Sequence, residues 1–152
     1  MNKNELDNYN SAKLHDRLAA VIQQDNRILL IEDNSRQLTL PSGVRERDST
    51  DRESLEDVVL RFTGQTPTHT NYYSTYTSLS KNTPISHGIY KVNIDSNSID
   101  GTFYKRRQQN RIYWLDPYQI YDEDYDISAI TYVTMESLVR DKSLKYEGEV
   151  IF

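Results

Sequence analysis

Apolar residues first cluster in "RLAAVIQQDNRILLIED", where two apolar runs flank the polar break "QQDN". This pattern predicts a hairpin: a strand over Leu18–Gln23, a turn around Asp25–Asn26 and a strand over Arg27–Glu32. After the turn-like "DNSRQ", "LTLP" predicts a short strand stopped by Pro41, which has no ladder donor, and a turn follows at Ser42–Gly43. The period then becomes helical. Leu55, Val58, Val59 and Phe62 stand at i, i+3, i+4 and i+7, with Ser49, Thr50 or Asp51 placed to cap the start and Gly64 to stop the end. Beyond Pro67, the threonine- and tyrosine-rich "THTNYYSTYTSLS" and the segment "ISHGIYKVNID" predict two paired strands joined by a turn over 81–84. "SNSIDG" reads as a loop, "TFYKRR" as a short strand and "RIYWLD" as a strand ending before Pro117. "YDEDYD" reads as an acidic loop. "TMESLVRDK" predicts a final helix over about 134–142 capped by Thr134, with Leu138 and Val139 inward. The closing "LKYEGEVIF" is apolar enough to dock.

No repeat or linker interrupts this pattern, so residues 1–14 read as a flexible polar arm and 15–152 as one domain. At 152 residues the chain can bury a core without staples. The absence of cysteine excludes disulfides, thiolate zinc sites and a cysteine nucleophile. A net charge of −5 argues against nucleic acid or anionic membrane as the main partner. The N-terminal stretch has no apolar run that could act as a signal peptide, and no run is long enough to span a bilayer, which points to a cytoplasmic chain. Twelve tyrosines against three phenylalanines predict a surface rich in half-buried rings, because a buried phenol needs a polar partner.

The order of hairpin, short strand, "LPSG", helix, Thr63–Gly64, strands, "IYWLD" and a last helix resembles the Nudix hydrolases over residues 16–142. "LPSG" stands where that family has Leu-Pro-Gly-Gly, and Gly43 and Gly64 keep the 21-position spacing of its box. The resemblance implies an α+β fold, an α/β/α sandwich on a central mixed sheet, with the box helix at about 51–63. It also implies a set of acids that this chain lacks. Ser49 falls at the first box glutamate, Asp57 and Val58 at Arg-Glu, and Arg61 with Phe62 at the glutamate pair. Pyrophosphate cleavage needs carboxylates to hold magnesium or manganese, and Val58, Arg61 and Phe62 cannot coordinate a hard cation. The box is degenerate, and a metal enters the picture only if hydrolysis survives.

Several residues remain as candidates. Glu53, Glu56 and Asp57 form a carboxylate group on another flank of the same helix, readable as displaced catalytic acids or as a solvated flank that suits the helix dipole. Val58, Arg61 and Phe62, with Ser42 and Gly43, are candidates for an altered cleft or a protein interface; burying Phe62 alone is worth about 2 kcal/mol. Arg45, Arg47, Tyr72 and Tyr76 are candidates for holding a ligand, although Tyr72, Tyr76 and Tyr90 are also explained as cross-strand aromatic pairs. "YKRRQQNR" could meet phosphate or be a solvated hairpin end, and Glu46 and Asp48 read as turn residues. His15, His69 and His87 have no carboxylate or second histidine at ligand spacing, so none is expected to bind metal or act as a base. Ser42 lacks the surroundings of a nucleophile elbow.

Three functions follow. The first is an inactive Nudix-like module that binds a protein partner or itself through the altered cleft or a tyrosine-rich face. The second is a sensor of a nucleotide derivative such as ADP-ribose. The third is a divalent-metal hydrolase of nucleoside diphosphate compounds using the displaced acids. Nucleic acid and membrane are not expected partners.

Overall fold

A capped helix, a long hairpin and three short strands carry the residues singled out above. The computed structural model describes residues 14–95 and 111–146. The proposed strand "TFYKRR" and residues 104–110 of the basic segment lie outside these residues, as does most of the N-terminal arm. Contacts group the chain into two compact units, one taking 14–20 and 42–95 of the described residues and the other 21–41 and 111–146.

In the first unit, β1 (Arg17–Gln24) contributes its early residues and pairs antiparallel with β4 (Ser42–Val44), Leu18 facing Gly43 and Ala19 facing Ser42. The expected turn at Ser42–Gly43 is therefore a strand. Its glycine serves close approach: a Cβ on Gly43 would lie 2.9 Å from Val58 Cγ2. Val58 belongs to helix α1 (Asp51–Thr63), which starts and stops as the sequence predicts. Thr50 caps it through a reciprocal box, its hydroxyl accepting from the Glu53 amide at 3.1 Å while Glu53 Oε1 accepts from the Thr50 amide at 3.0 Å. Gly64, at φ 73°, closes the other end by donating to the Leu60 carbonyl at 2.8 Å. Leu55, Val58, Val59 and Phe62 form the buried stripe that the spacing predicts.

The two threonine- and tyrosine-rich segments are β5 (Pro67–Ser80) and β6 (Thr83–Ile94), antiparallel throughout. The turn is tighter than expected, with only Lys81 and Asn82 between the strands. Both residues have positive φ (51° and 67°), as a two-residue loop joining right-twisted strands requires. Pro84 thus falls inside β6, close to its start and opposite Leu79. Register shifts near Pro67–His69 and Tyr72–Ser74 mark irregularities in β5.

In the second unit the later residues of β1 form the predicted hairpin with β2 (Arg27–Glu32), Gln24 opposite Arg27, and Asp25 turns with φ 55°. β2 also pairs antiparallel with β3 (Leu38–Thr39) and β7 (Ile112–Leu115). Leu38 makes a parallel bridge to Ile127, so parallel and antiparallel pairing both occur. Between β7 and the acidic segment lies α2 (Pro117–Asp122), a helix absent from the sequence reading. Pro117 starts it rather than only ending the strand: its fixed φ suits a first helical position, and Asp116 caps by accepting from the Gln119 amide at 2.8 Å.

The last helix, α3 (Ala129–Arg140), begins about a turn earlier than expected. Its cap is Ser128, whereas Thr134 lies within it, buried, with its hydroxyl lacking a hydrogen-bond partner among the described residues. Thr131, Thr134, Met135 and Leu138 continue one buried face, which carries the helix back past Thr134, while Val139 is only half-buried. Ile28, Leu29, Leu30, Leu40, Ile120, Met135, Leu138 and Leu144 form the core of this unit. Leu144, the first residue of the tail, is buried; Lys145 and Tyr146 are exposed, and residues 147–152 lie outside the described ones. Among the described residues no helix is long and apolar enough to cross a membrane.

Candidate functional site

The first turn of α1 is joined to the start of β1 by a buried pair. His15 Nδ1 donates to Asp51 Oδ2 at 2.5 Å, and the His15 amide donates to Asp51 Oδ1 at 2.9 Å. Both side chains are almost wholly buried, at 3% and 4% exposed. Tyr90 on β6 donates to the same carboxylate at 2.9 Å, and burial, followed by the Asp51 charge, raises its phenol pKa. On the other side of the ring, His15 Nε2 meets Thr75 Oγ1 at 2.8 Å, and that hydroxyl meets the Tyr72 phenol at 2.6 Å. Tyr72 also stacks on the His15 ring at 5.8 Å. Gly88 makes room for the imidazole, since a Cβ there would be 2.7 Å from its Nδ1. The network satisfies every polar atom that burial takes from water, and so fastens helix, hairpin and first strand together.

His15 thus has a carboxylate partner that spacing along the chain did not offer. Asp51 is 36 positions away, a separation that ligand spacing does not register. His87 is a strand residue, as expected. Ser78 Oγ lies 2.9 Å from its Nε2, Tyr76 tilts against its ring at 5.5 Å, and burial lowers its pKa, assisted by the Arg17 charge.

The face of α1 at the box positions is closed. Val58 is 2% exposed and Phe62 7%, so the alternative of an open apolar patch is overturned: the helix packs both residues inward. Arg61 is exposed. Glu53, Glu56 and Asp57 lie on the exposed flank, and Glu53 is committed to the cap, its pKa lowered by the hydrogen bonds at Thr50. Among the described residues no group of three or more histidine, aspartate and glutamate side chains is placed to hold a metal ion.

The four ligand-binding candidates do not converge. Arg45 is spent on backbone carbonyls, donating from Nε to His15 at 2.9 Å and from Nη1 to Ser49 at 3.0 Å. Arg47 is exposed in that loop, where Asp48 turns with φ 65° and the Ser49 amide donates to Glu46 at 3.1 Å. Tyr72 and Tyr76 belong to the two separate ring pairs already described. Instead, a polar groove of about 250 Å³ runs between α1 and the start of β5, lined by Arg52, Glu56, Pro67, Thr68, His69, Thr70 and Asn71. Only Glu56 and His69 of these were marked in the sequence; Arg52 and Glu56, one helical turn apart, are the signal that could have found it.

Solved structures resemble this arrangement. A Nudix hydrolase from Nitrosomonas europaea superposes with a TM-score of 0.68 at 17% identity, over 92% of this chain and 97% of that one. The fold is Nudix-like. A pyrophosphohydrolase from Bacillus subtilis gives a TM-score of 0.63 at 15% identity over 88% and 87% of the two chains. An ADP compounds hydrolase gives 0.63 at 16% identity over 88% and 75%. At these identities the likeness concerns the fold. No protein-family model matches the sequence, and no curated protein matches it.

Proposed function

We propose that this Nudix-like chain binds rather than cleaves, and that its box is degenerate. One observation carries the reading: the helix face where the resemblance puts metal-holding glutamates is occupied by Val58 and Phe62, both buried, with Arg61 beside them. A cation at that face would lose its hydration without gaining carboxylate oxygens. Glu56 and Asp57 point to solvent and Glu53 closes the cap, so the remaining acids of the helix are not gathered to replace them. The test is turnover. With magnesium or manganese, a panel of nucleoside diphosphate compounds is expected to stay intact; cleavage abolished by Glu56→Gln or Asp57→Asn would instead establish the displaced-acid hydrolase.

A second reading, retention of a nucleotide derivative without cleavage, is favoured by the polar groove. Arg52 supplies a phosphate-pairing guanidinium, and Thr68, Thr70 and Asn71 supply donors beside it. An ADP-ribose titration without metal is expected to raise Tm, and Arg52→Ala to remove the rise.

A further inference from the structure

Three tyrosines of the second unit meet at its surface, with a fourth beside them. Tyr118 and Tyr121 come from α2, Tyr132 from α3 and Tyr146 from the chain beyond it. Tyr121 lies parallel to Tyr132 at 6.4 Å and edge-on to Tyr146 at 5.5 Å. Tyr118 precedes Tyr121 by three positions on α2, and so shares its face of the helix. Each residue is 37–43% exposed, too much for a core, and together they make a contiguous aromatic surface.

The surroundings are acidic. Tyr146 donates to Asp122, an interaction that pushes its phenol up to about 12 and keeps it protonated. Glu123 and Asp124 follow, both exposed, and Glu136 lies close enough to Tyr121 to raise its phenol in support of burial. Arg140 pairs with Glu136 at 3.1 Å, an exposed contact that offsets only one of these charges. Aromatic faces carry negative quadrupoles, and carboxylates at their rim add to the same field, so the complementary group is a cation with a planar or apolar body. Guanidinium fits best because it stacks on rings and hydrogen-bonds to carboxylate together.

Size narrows the occupant further. Four rings about two-fifths exposed leave on the order of 300 Å², against the ~800 Å² per partner of a stable protein interface. That area suits one or two side chains of an extended segment rather than a second folded copy.

We infer that the Tyr118, Tyr121, Tyr132 and Tyr146 surface docks an arginine-bearing segment of a protein partner through cation–π and carboxylate contacts. This rests on the reading of the chain as a binding module and names the partner's chemistry. The probe is a short arginine–glycine peptide titrated into the full chain, with ring resonances of the four tyrosines followed by NMR and a citrulline–glycine peptide as control. Saturable shifts at these rings, weakened several-fold by Tyr121→Leu and by Asp122→Asn and reduced by salt, are expected. Tyr121→Leu keeps apolar volume while removing the phenol, and an unchanged remainder of the spectrum verifies its fold. Absence of shifts, equal shifts with the citrulline peptide, or indifference to Tyr121→Leu would overturn the proposal. So would self-association through these rings without peptide, or their preference for an RNA oligomer. Nucleotide cleavage is scored separately, so a chain that hydrolyses nucleotides yet docks the peptide refutes the earlier reading and leaves this one standing.

Discussion

His15 and Asp51 form a buried hydrogen-bonded pair at 2.5 Å that joins the segment leading into β1 to the first turn of α1. Removing one partner leaves the other buried without compensation, so Asp51→Ala is expected to cost about 3–5 kcal/mol in denaturant unfolding. A loss below about 1 kcal/mol would show that water replaces the carboxylate without difficulty.

The same carboxylate sets an alkaline limit. Tyr90 has its pKa raised above the ordinary 10.0, first by burial and then by Asp51. The unfolded chain therefore releases this proton before the folded one does. Above pH 10.0 it holds fewer protons than the native state, so this contribution to stability, fully present below pH 10.0, is lost as pH rises toward the folded value. Tyr90→Phe is expected to flatten part of the loss; the rest belongs to Tyr113, Tyr121 and Tyr146, whose phenols are also raised. An unaltered slope in that variant would separate Tyr90 from the effect.

Gly43 tests the close packing of β4 beneath α1. Ala at this position puts a Cβ 2.9 Å from Val58 Cγ2, and the overpacking is expected to cost about 1–3 kcal/mol. Combined with Val58→Ala, the total loss should be smaller than the two single losses added, because the clash vanishes. Strict additivity would place the strain elsewhere.

Thr134 offers a gain. Its buried hydroxyl has no partner among the described residues, so Thr134→Val keeps the shape and removes a stranded polar group, raising stability by about 1 kcal/mol. Destabilisation in urea melts would reveal a bond from this hydroxyl.

Legibility followed the range of each signal. Helix α1 could be read almost to the residue because cap, stripe and stop are local: Thr50, the Leu55-to-Phe62 spacing and Gly64 each act within a few positions. The hairpin strands were legible for the same reason. Helix α2 is hard to read because Pro117 serves equally as a strand terminator, although Asp116-Pro117 with Gln119 is a helix-start signal. The start of α3 is ambiguous in the sequence because Ser128, Thr131 and Thr134 are all able to cap, and only packing selects Ser128. The site was less legible than the fold. The closure of Val58 and Phe62 was one of two readings left open by their apolarity, whereas the His15–Asp51–Tyr90–Thr75 network joins four segments and has no sequence-local trace. The groove at Arg52 has no local trace for the same reason, since most of its lining, Pro67 to Asn71, comes from a strand that spacing along the helix cannot locate.

The central claim is that the box helix is retained as architecture without its cleavage chemistry. Stoichiometric protein mixed with ADP-ribose and manganese, followed by phosphorus NMR, tests it most directly because even one turnover per molecule is visible. The account predicts that the pyrophosphate signals persist unchanged for as long as the protein stays folded. Manganese-dependent conversion to AMP and ribose phosphate, lost in Asp57→Asn, would contradict it.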